Sequence, residues 1–320
     1  MRTFFRALIA TIFLSCTLTH ATTKVLDRVV AVVNNSIVTQ HQLNAAVQQV
    51  KSNLKRAKVK TPSDKALREQ VLQQLIMQDI QLELAKRNQI SISDQDVDNA
   101  IAAMAKQNHI SMKQLQNKIT KSGGNFHDFR HELHKQLLTQ KLQGLEVGAK
   151  IHISDQEVAQ TRRMLKHQKM QVLYHLQNIL IPLPPIPSTA AVQAAKQEAN
   201  TILLKLKNGA DFKQIAVSHS SADNALEGGD LGWRHLAEMP DAFAAAARTA
   251  QMGDVLGPIR TANGFHLLKV LAIKNKTKTK ALSDNDIRNM LYRRKMLEQV
   301  QLWLQALRGN AYVKMIPSTK

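Results

Sequence analysis

The chain has 320 residues, 44% of them hydrophobic, and carries 44 lysines and arginines against 24 aspartates and glutamates, a net charge of +20. About 300 residues are enough for two domains of ordinary size. A basic surface attracts nucleic acid, anionic lipid or acidic protein. No aromatic stacking pattern accompanies the basic residues, which argues against nucleic acid. No phosphate loop of the G-x-x-x-x-G-K type is present, which argues against nucleotide hydrolysis.

The first 21 residues are typical of a secretory signal peptide. Arg2 and Arg6 precede an uncharged apolar run at 7–18, and Ala21 provides a small residue before a cut. We expect cleavage after Ala21 and a soluble protein outside the cytoplasm. The run is shorter than the roughly 20 residues of a membrane-spanning helix, and no later segment is apolar enough to cross a bilayer. We therefore predict no stable membrane insertion.

Cys16 is the only cysteine and lies inside this predicted signal peptide. A lipoprotein cysteine is the alternative interpretation, but Phe13 stands where such a signal needs a small aliphatic residue. The mature chain would have no cysteine, and hence no disulfide and no thiolate metal site. It would keep 42 of the 44 basic residues and all 24 acidic ones, a balance of +18.

The pattern after the signal peptide predicts a short β-hairpin and then a long helical region. Val29–Val33 and Ile37-Val38 flank an Asn-rich turn. Thr39 and Gln42 form a capping box that opens the first helix. Apolar residues then recur at helical spacing to about residue 168. We expect a helical domain at 22–170.

A serine followed three residues later by an acid occurs three times. We interpret these sites as three helix starts, in which the serine caps the helix and the acid faces the free N–H groups, rather than as metal ligands. The pairs are Ser93 with Asp96, Ser154 with Glu157, and Ser283 with Asp286.

The composition changes near residue 171. An apolar strand ends in prolines, a helix follows at 190–207, and glycine-rich turns then separate short strands. This pattern predicts an α+β domain at 171–273 with about four strands. A basic linker would follow at 274–282, and the basic run at 51–60 is interpreted in the same way, as solvated chain.

The last segment, 283–320, predicts an amphipathic helix at about 284–307. Its apolar face has no partner inside the α+β domain, so we expect it to complete the N-terminal helical module, with the α+β domain inserted between them. The residues of this face are Ile287, Leu291, Leu297, Val300 and Leu304.

Several sequence blocks resemble the parvulin family of prolyl isomerases. These blocks are Leu176–Ile181, Gly228–Trp233, Gly257–Ile259 and Gly264–Val270, and they match in order and spacing over roughly 100 residues. The flanks, Val29–Thr39 with the following helices and the run Asn178–Pro184, are similar to the SurA family of periplasmic chaperones. The resemblance implies an α+β fold: a mostly helical SurA-like module completed by the C-terminal helix, with one inserted parvulin (FKBP-like) domain. It needs no cofactor and no metal.

The family resemblance also assigns the site residues. Leu231, Met239 and Phe243 would form the apolar floor for a substrate proline. His266 matches the second of two facing histidines, and Asp223 is a candidate for the acidic position in the loop 220–223. Asn178 stands where the family has its first histidine, and His175 would lie on the opposite strand face. This departure predicts weak or absent isomerase activity.

Two functions from different classes remain open at this point. The resemblance implies an ATP-independent periplasmic chaperone for unfolded outer-membrane proteins and proline-containing peptides, with the outer-membrane assembly machinery as a further partner. The alternative is a fully active peptidyl-prolyl isomerase acting on envelope proteins. A third interpretation, from the charge alone, is binding to anionic lipid.

Overall fold

The computed structural model describes residues 27–167, 171–276 and 282–317. The predicted signal peptide at 1–21 and most of the predicted linker lie outside the described residues. Within the described ranges, no helix is both long and apolar enough to span a membrane.

The predicted hairpin forms and is extended by a strand from the other end of the chain. Strands β1 (Val29–Val33) and β2 (Ser36–Thr39) pair antiparallel, and Asn34 takes the left-handed turn conformation at φ 46°. Strand β7 (Val313–Met315) pairs antiparallel with β1 on its other edge. Asn34 fixes this junction, because its backbone N–H donates to the Tyr312 carbonyl at 2.8 Å and its Oδ1 accepts from the Tyr312 N–H at 2.9 Å.

Six helices follow the hairpin, and their starts match the capping signals read from the sequence. Thr39 and Gln42 form the capping box of α1. The helices are α1 (Gln40–Arg56), α2 (Asp64–Arg87), α3 (Asp94–Gln107), α4 (Met112–Lys121), α5 (Phe126–Glu146) and α6 (Asp155–His167). The three serine–acid pairs cap α3, α6 and the last helix with backbone and hydroxyl hydrogen bonds, so their interpretation as helix starts is confirmed.

The prediction of a solvated linker at 51–60 is wrong. Residues 51–56 form the last turns of α1, and Val59 is buried in the core between the hairpin, α1 and α2. Lys51 also forms an ion pair with Asp64 at the start of α2, with 2.6 Å between Nζ and Oδ1. The lysines extend into solvent from ordered elements, which is how a basic helix end normally packs.

The α+β domain contains a four-stranded antiparallel sheet in the order β4-β3-β6-β5. One sheet face packs on α7 and α8 through residues such as Ile179 and Phe265, and the other packs on α9 through Leu176 and Leu268. Its elements are β3 (Gln171–Pro182), α7 (Thr189–Lys207), α8 (Phe212–His219), β4 (Asp230–His235), α9 (Asp241–Ala247), β5 (Val255–Thr261) and β6 (Gly264–Lys276). Since β6 continues to Lys276, the sheet includes the first three residues of the predicted linker.

The last helix, α10 (Asp284–Asn310), packs on the N-terminal helices in two places. Ile287 and Leu291 join Val158 of α6 in one buried cluster, and Val300 and Leu304 join Val147 in a second. Leu297, predicted for the same face, is instead 46% exposed. At Leu297 the apolar face of α10 no longer contacts the N-terminal helical module, because α10 runs past the α+β domain there.

Candidate active site in the α+β domain

The centre of the candidate site is a hydrogen-bonded pair on the two central strands. Asn178 of β3 and His266 of β6 lie on the same sheet face, because β3 and β6 pair with Leu180 opposite His266. The Oδ1 atom of Asn178 is 2.9 Å from Nδ1 of His266, and both residues are only 5% exposed. The sequence placed these two residues at one site, and the structure brings their side chains into direct contact.

Two residues that the sequence analysis did not select complete the surroundings of His266. Thr261 Oγ1 lies 2.9 Å from Nε2 of the imidazole, and Asn263 Oδ1 lies 3.0 Å from the same nitrogen. The Thr261 hydroxyl also hydrogen-bonds to the Asn263 side chain. Thr261 is the last residue of β5, and Asn263 lies in the turn that leads into β6. Their positions three and five residues before His266 were the available signal.

His266 is neutral in this environment. Burial, and secondly the positive charge of Arg260, lowers the pKa of His266 to about 3. A neutral imidazole has one N–H and one lone pair. Its Nδ1 contacts the Asn178 oxygen, and its Nε2 contacts the Thr261 hydroxyl and the Asn263 oxygen. The ring is therefore held from both sides without gaining a charge.

An apolar surface adjoins the imidazole. The edge of Phe243 meets the His266 ring with 4.8 Å between centroids and an interplanar angle of 68°. Met239 and Phe243 are 2% and 5% exposed and belong to one cluster, against which Leu231 packs. The three residues predicted as a proline-binding floor thus share one apolar cluster, and Phe243 of this cluster contacts His266.

Asp223, the candidate acidic residue, contacts the last helix. Its Oδ2 accepts a hydrogen bond from Nε2 of Gln301 in α10, with 2.7 Å between the atoms. Desolvation by the surrounding protein raises the pKa of Asp223, although the residue is exposed to solvent. Its catalytic role stays a prediction, since the hydrogen bond found for this carboxylate leads to another module.

His175 occupies a separate position at the other end of the sheet. Its Nε2 is 2.8 Å from Oδ1 of Asp230, and its ring packs against Trp233 with 5.2 Å between centroids. Trp233 is also covered by the ammonium group of Lys274 at 4.3 Å. The His175 side chain has no contact with His266 and does not substitute for the histidine that Asn178 replaces.

Gly229 sets the distance between β3 and the loop before β4. It has a left-handed φ of 77°, and a Cβ atom built on it would lie 2.3 Å from the carbonyl oxygen of Asn178. Its own carbonyl accepts the Asn178 N–H at 2.8 Å. Glycine is required here by both conformation and space, because the loop approaches the strand at the residue that contacts His266.

The α10 helix lies along the rim of the site and touches three of its segments. Arg293 pairs with Glu238 at 2.8 Å and Arg294 with Asp241 at 2.9 Å, both at the start of the segment that contains Met239 and Phe243. Gln301 reaches Asp223, as described above. Gln305 donates to the carbonyl of Asn263 at 2.6 Å. The carboxyl-terminal helix thus connects the helical module to both sides of the site.

Two family models match this chain, in the order in which the two modules occur. The model described as the SurA N-terminal domain matches residues 26–143, and the model described as the PPIC-type PPIase domain matches residues 178–272. The chain combines a SurA N-terminal domain with a PPIC-type PPIase domain. The PPIC-type match begins at Asn178 and includes His266, so the hydrogen-bonded pair lies within the matched part. Both resemblances inferred from the sequence are confirmed.

The curated relatives that this chain matches are longer than the chain. The protein named Chaperone SurA from Legionella pneumophila strain Paris is 38% identical over 269 residues, which are 84% of this chain and 63% of the relative. Chaperone SurA from Escherichia coli O157:H7 is 36% identical over 272 residues, 85% of this chain and 64% of the relative. The chain therefore spans a little under two thirds of the length of these relatives.

Solved structures are similar to this chain at lower identity. A SurA-like chaperone from the study of PEB4 and Cj1289 of Campylobacter jejuni is 14% identical, with 91% of this chain and 100% of that chain covered and a TM-score of 0.44. A PpiC-type isomerase domain is 27% identical, with 33% of this chain and 94% of that chain covered and a TM-score of 0.31.

Proposed function

We propose that this protein is an ATP-independent chaperone of the periplasm that holds unfolded outer-membrane proteins and carries a PPIC-type domain of low isomerase activity. The observation that carries this proposal is the 38% identity to a chaperone over 84% of the chain, across both domains. Proline-containing client segments would contact the PPIC-type domain. The outer-membrane assembly machinery would receive the clients.

The surface of the helical module supports a holding function. Leu145, near the end of α5, is 52% exposed, and Leu297 of α10 is 46% exposed. Between the two helices lies an open groove. An unfolded chain can bind such apolar surface weakly and dissociate without a nucleotide, because ordering the bound segment offsets much of the gain from burial.

Catalysis of prolyl isomerisation is the second candidate function. The observation that favours it is the neutral His266 beside Phe243. Rotation about a peptide bond faces a barrier of about 18–20 kcal/mol, and a dry site with fixed polar groups can lower this barrier by stabilising the twisted amide.

Two features support low turnover. An amide at position 178 provides no second imidazole, and α10 contacts three segments at the rim of the site.

One pair of assays separates holding from catalysis. The first measures aggregation of an unfolded outer-membrane protein at rising chaperone concentration. The second measures refolding limited by proline isomerisation, a step of about 10–100 s without catalyst. We expect suppression of aggregation at near-stoichiometric ratios and little acceleration at trace amounts. Strong acceleration at trace amounts would instead establish the enzyme as the main function.

The domain division and the export of the protein are part of the same proposal. We place the signal peptide at 1–21, the SurA-like helical domain at 22–170, the PPIase domain at 171–273 and the completing helix at 283–320. Mass spectrometry of envelope protein should find a mature N-terminus at Thr22. Truncation after residue 282 should destabilise the helical domain, because the two clusters of α10 with Val147 and Val158 are lost, and should leave residues 171–273 folded.

A further inference from the structure

A groove of about 660 Å³ separates α10 from the end of α5 and the short turn that follows it. Its apolar wall contains Val147, Ile151 and Trp303, which pack on the buried Val300 and Leu304. The walls come close together beside the groove, since a Cβ atom on Gly148 would lie 2.3 Å from the hydroxyl oxygen of Tyr292. The groove is therefore preformed by packed elements.

The basic side chains at the groove are already paired. Lys295 forms an ion pair with Glu157 at 2.6 Å and donates to the carbonyl of His152 at 2.8 Å. Lys150 lies 3.9 Å from Glu146. Their charges are thus largely compensated within the protein.

Glu298 is the exception among the groove's charges. In the part of the chain that the structure describes, its carboxylate accepts no hydrogen bond and forms no direct ion pair, although the charges of Arg294 and Lys295, which are paired with Asp241 and Glu157, act on it from farther away. The nearby Arg294 is engaged by Asp241 at 2.9 Å. Glu298 is partly buried, and this burial raises its pKa. The Glu298 carboxylate lies beside an indole ring and aliphatic side chains. This combination is complementary to a side chain that carries a positive charge at the end of an aliphatic stem.

We propose that this groove binds a lysine or arginine side chain of an extended client segment, with the charged group at Glu298 and the aliphatic stem on Trp303. Apolar neighbours of the basic residue would cover Val147 and Ile151. This inference rests on the proposed chaperone function and names the type of segment that the helical domain selects. A charge-assisted hydrogen bond contributes more to affinity than a neutral one, so the basic residue gives the groove its preference.

A binding experiment with two peptides tests the preference. The first peptide has ten residues, with one lysine between leucine and phenylalanine, and contains neither proline nor tryptophan. The second carries acetyl-lysine at the same position, which removes the charge and keeps the stem. The protein is residues 22–320 with Trp233→Phe, so that Trp303, the other of the two tryptophans, reports binding by fluorescence. Anisotropy of labelled peptide gives the affinity independently.

We expect acetylation to weaken binding about tenfold, the value of roughly one charged hydrogen bond. Glu298→Gln should remove this difference and leave binding of the acetylated peptide unchanged. Glu227→Gln, at an exposed glutamate of the PPIase domain, removes the same charge far from the groove and should preserve the difference.

Equal affinities of the two peptides for the unaltered groove would overturn the proposal, and so would an unchanged difference in Glu298→Gln. The first comparison needs no variant at Glu298. It therefore tests the proposal even if Glu298→Gln misfolds. Aggregation of an unfolded outer-membrane protein is measured in parallel. If aggregation is suppressed but the lysine preference is absent, the groove assignment fails while the chaperone function stands. If aggregation is not suppressed, the proposed function itself fails.

Discussion

The Nδ1 atom of His266 lies 2.9 Å from the Oδ1 atom of Asn178, inside a site where the imidazole is neutral. Asn178 stands where the parvulin resemblance implies the first of two facing histidines. An asparagine can hold the His266 ring in position, but it cannot exchange a proton with it. The His266 ring is thus held by an amide at the position where the resemblance implies an imidazole.

Asn178→His is expected to raise prolyl-isomerase turnover by up to about a hundredfold, the lower end of the range for one well-placed polar group. Suppression of client aggregation should stay unchanged, because holding depends on apolar surface of the helical domain. His266→Gln should abolish the residual turnover, again without effect on holding.

Proline-limited refolding and aggregation assays on the three proteins measure both quantities. Fast turnover of the unaltered chain would show that Asn178 is sufficient, and loss of holding in His266→Gln would place the client site in the PPIase domain.

His266 should remain neutral throughout the range pH 5 to 8. Its folded pKa of about 3 lies below the unfolded value near 6.5. Between these values the unfolded chain binds a proton that the folded protein excludes, so His266 makes the protein less stable as the pH falls from 6.5 to 3. An NMR titration should show no movement of the His266 ring signals above pH 5. A midpoint near 6.5 would mean that the imidazole is accessible to solvent.

Gly229→Ala should destabilise the PPIase domain by about 3 kcal/mol or more, from a left-handed backbone and a clash with the Asn178 carbonyl. Gly253→Ala is the matched control, since Gly253 has a similar φ of 96° but nothing within 4 Å of a built Cβ. That variant should lose only the backbone contribution, about 1–2 kcal/mol. Urea unfolding compares the two. Equal losses would show that the loop moves away from Asn178 at little cost.

The ion pair between Glu157 and Lys295 should contribute a pH-dependent part of the stability of the helical domain. Hydrogen bonds from Lys295 first, and then from the Ser154 backbone, lower the pKa of Glu157 from 4.5 to about 2. Its contribution is present above pH 4.5 and is lost as the pH falls through 2. Since the pair is about one third exposed, screening reduces the expected effect to about 1 kcal/mol.

Unfolding of Glu157→Gln measures this contribution. The variant should be less stable than the unaltered chain at pH 7, and the difference should shrink as the pH approaches 3. Glu69→Gln, at an exposed position of α2, provides the control. A difference that stays constant with pH would assign the loss to packing and not to the charge.

The features that were predicted correctly depend on residues close together in the chain. Capping boxes span four residues, so Ser93, Ser154 and Ser283 could be recognised as helix starts without any tertiary information. The grouping of Asn178, His266 and Phe243 at one site came from the resemblance to a family, and the structure confirms that they lie together. The hairpin at 29–39 depends on its own turn and was also predicted.

Only the tertiary structure decided the contacts between distant segments. Strand β7 has three residues, too few for a periodic pattern, and it forms because β1 offers a free edge more than 270 residues earlier. The contact of Asp223 with Gln301 and the exposure of Leu297 follow from the path of α10 past the PPIase domain. Local sequence encodes where a helix begins and which face is apolar. The partner of that face depends on the packing of whole domains, which no short segment determines.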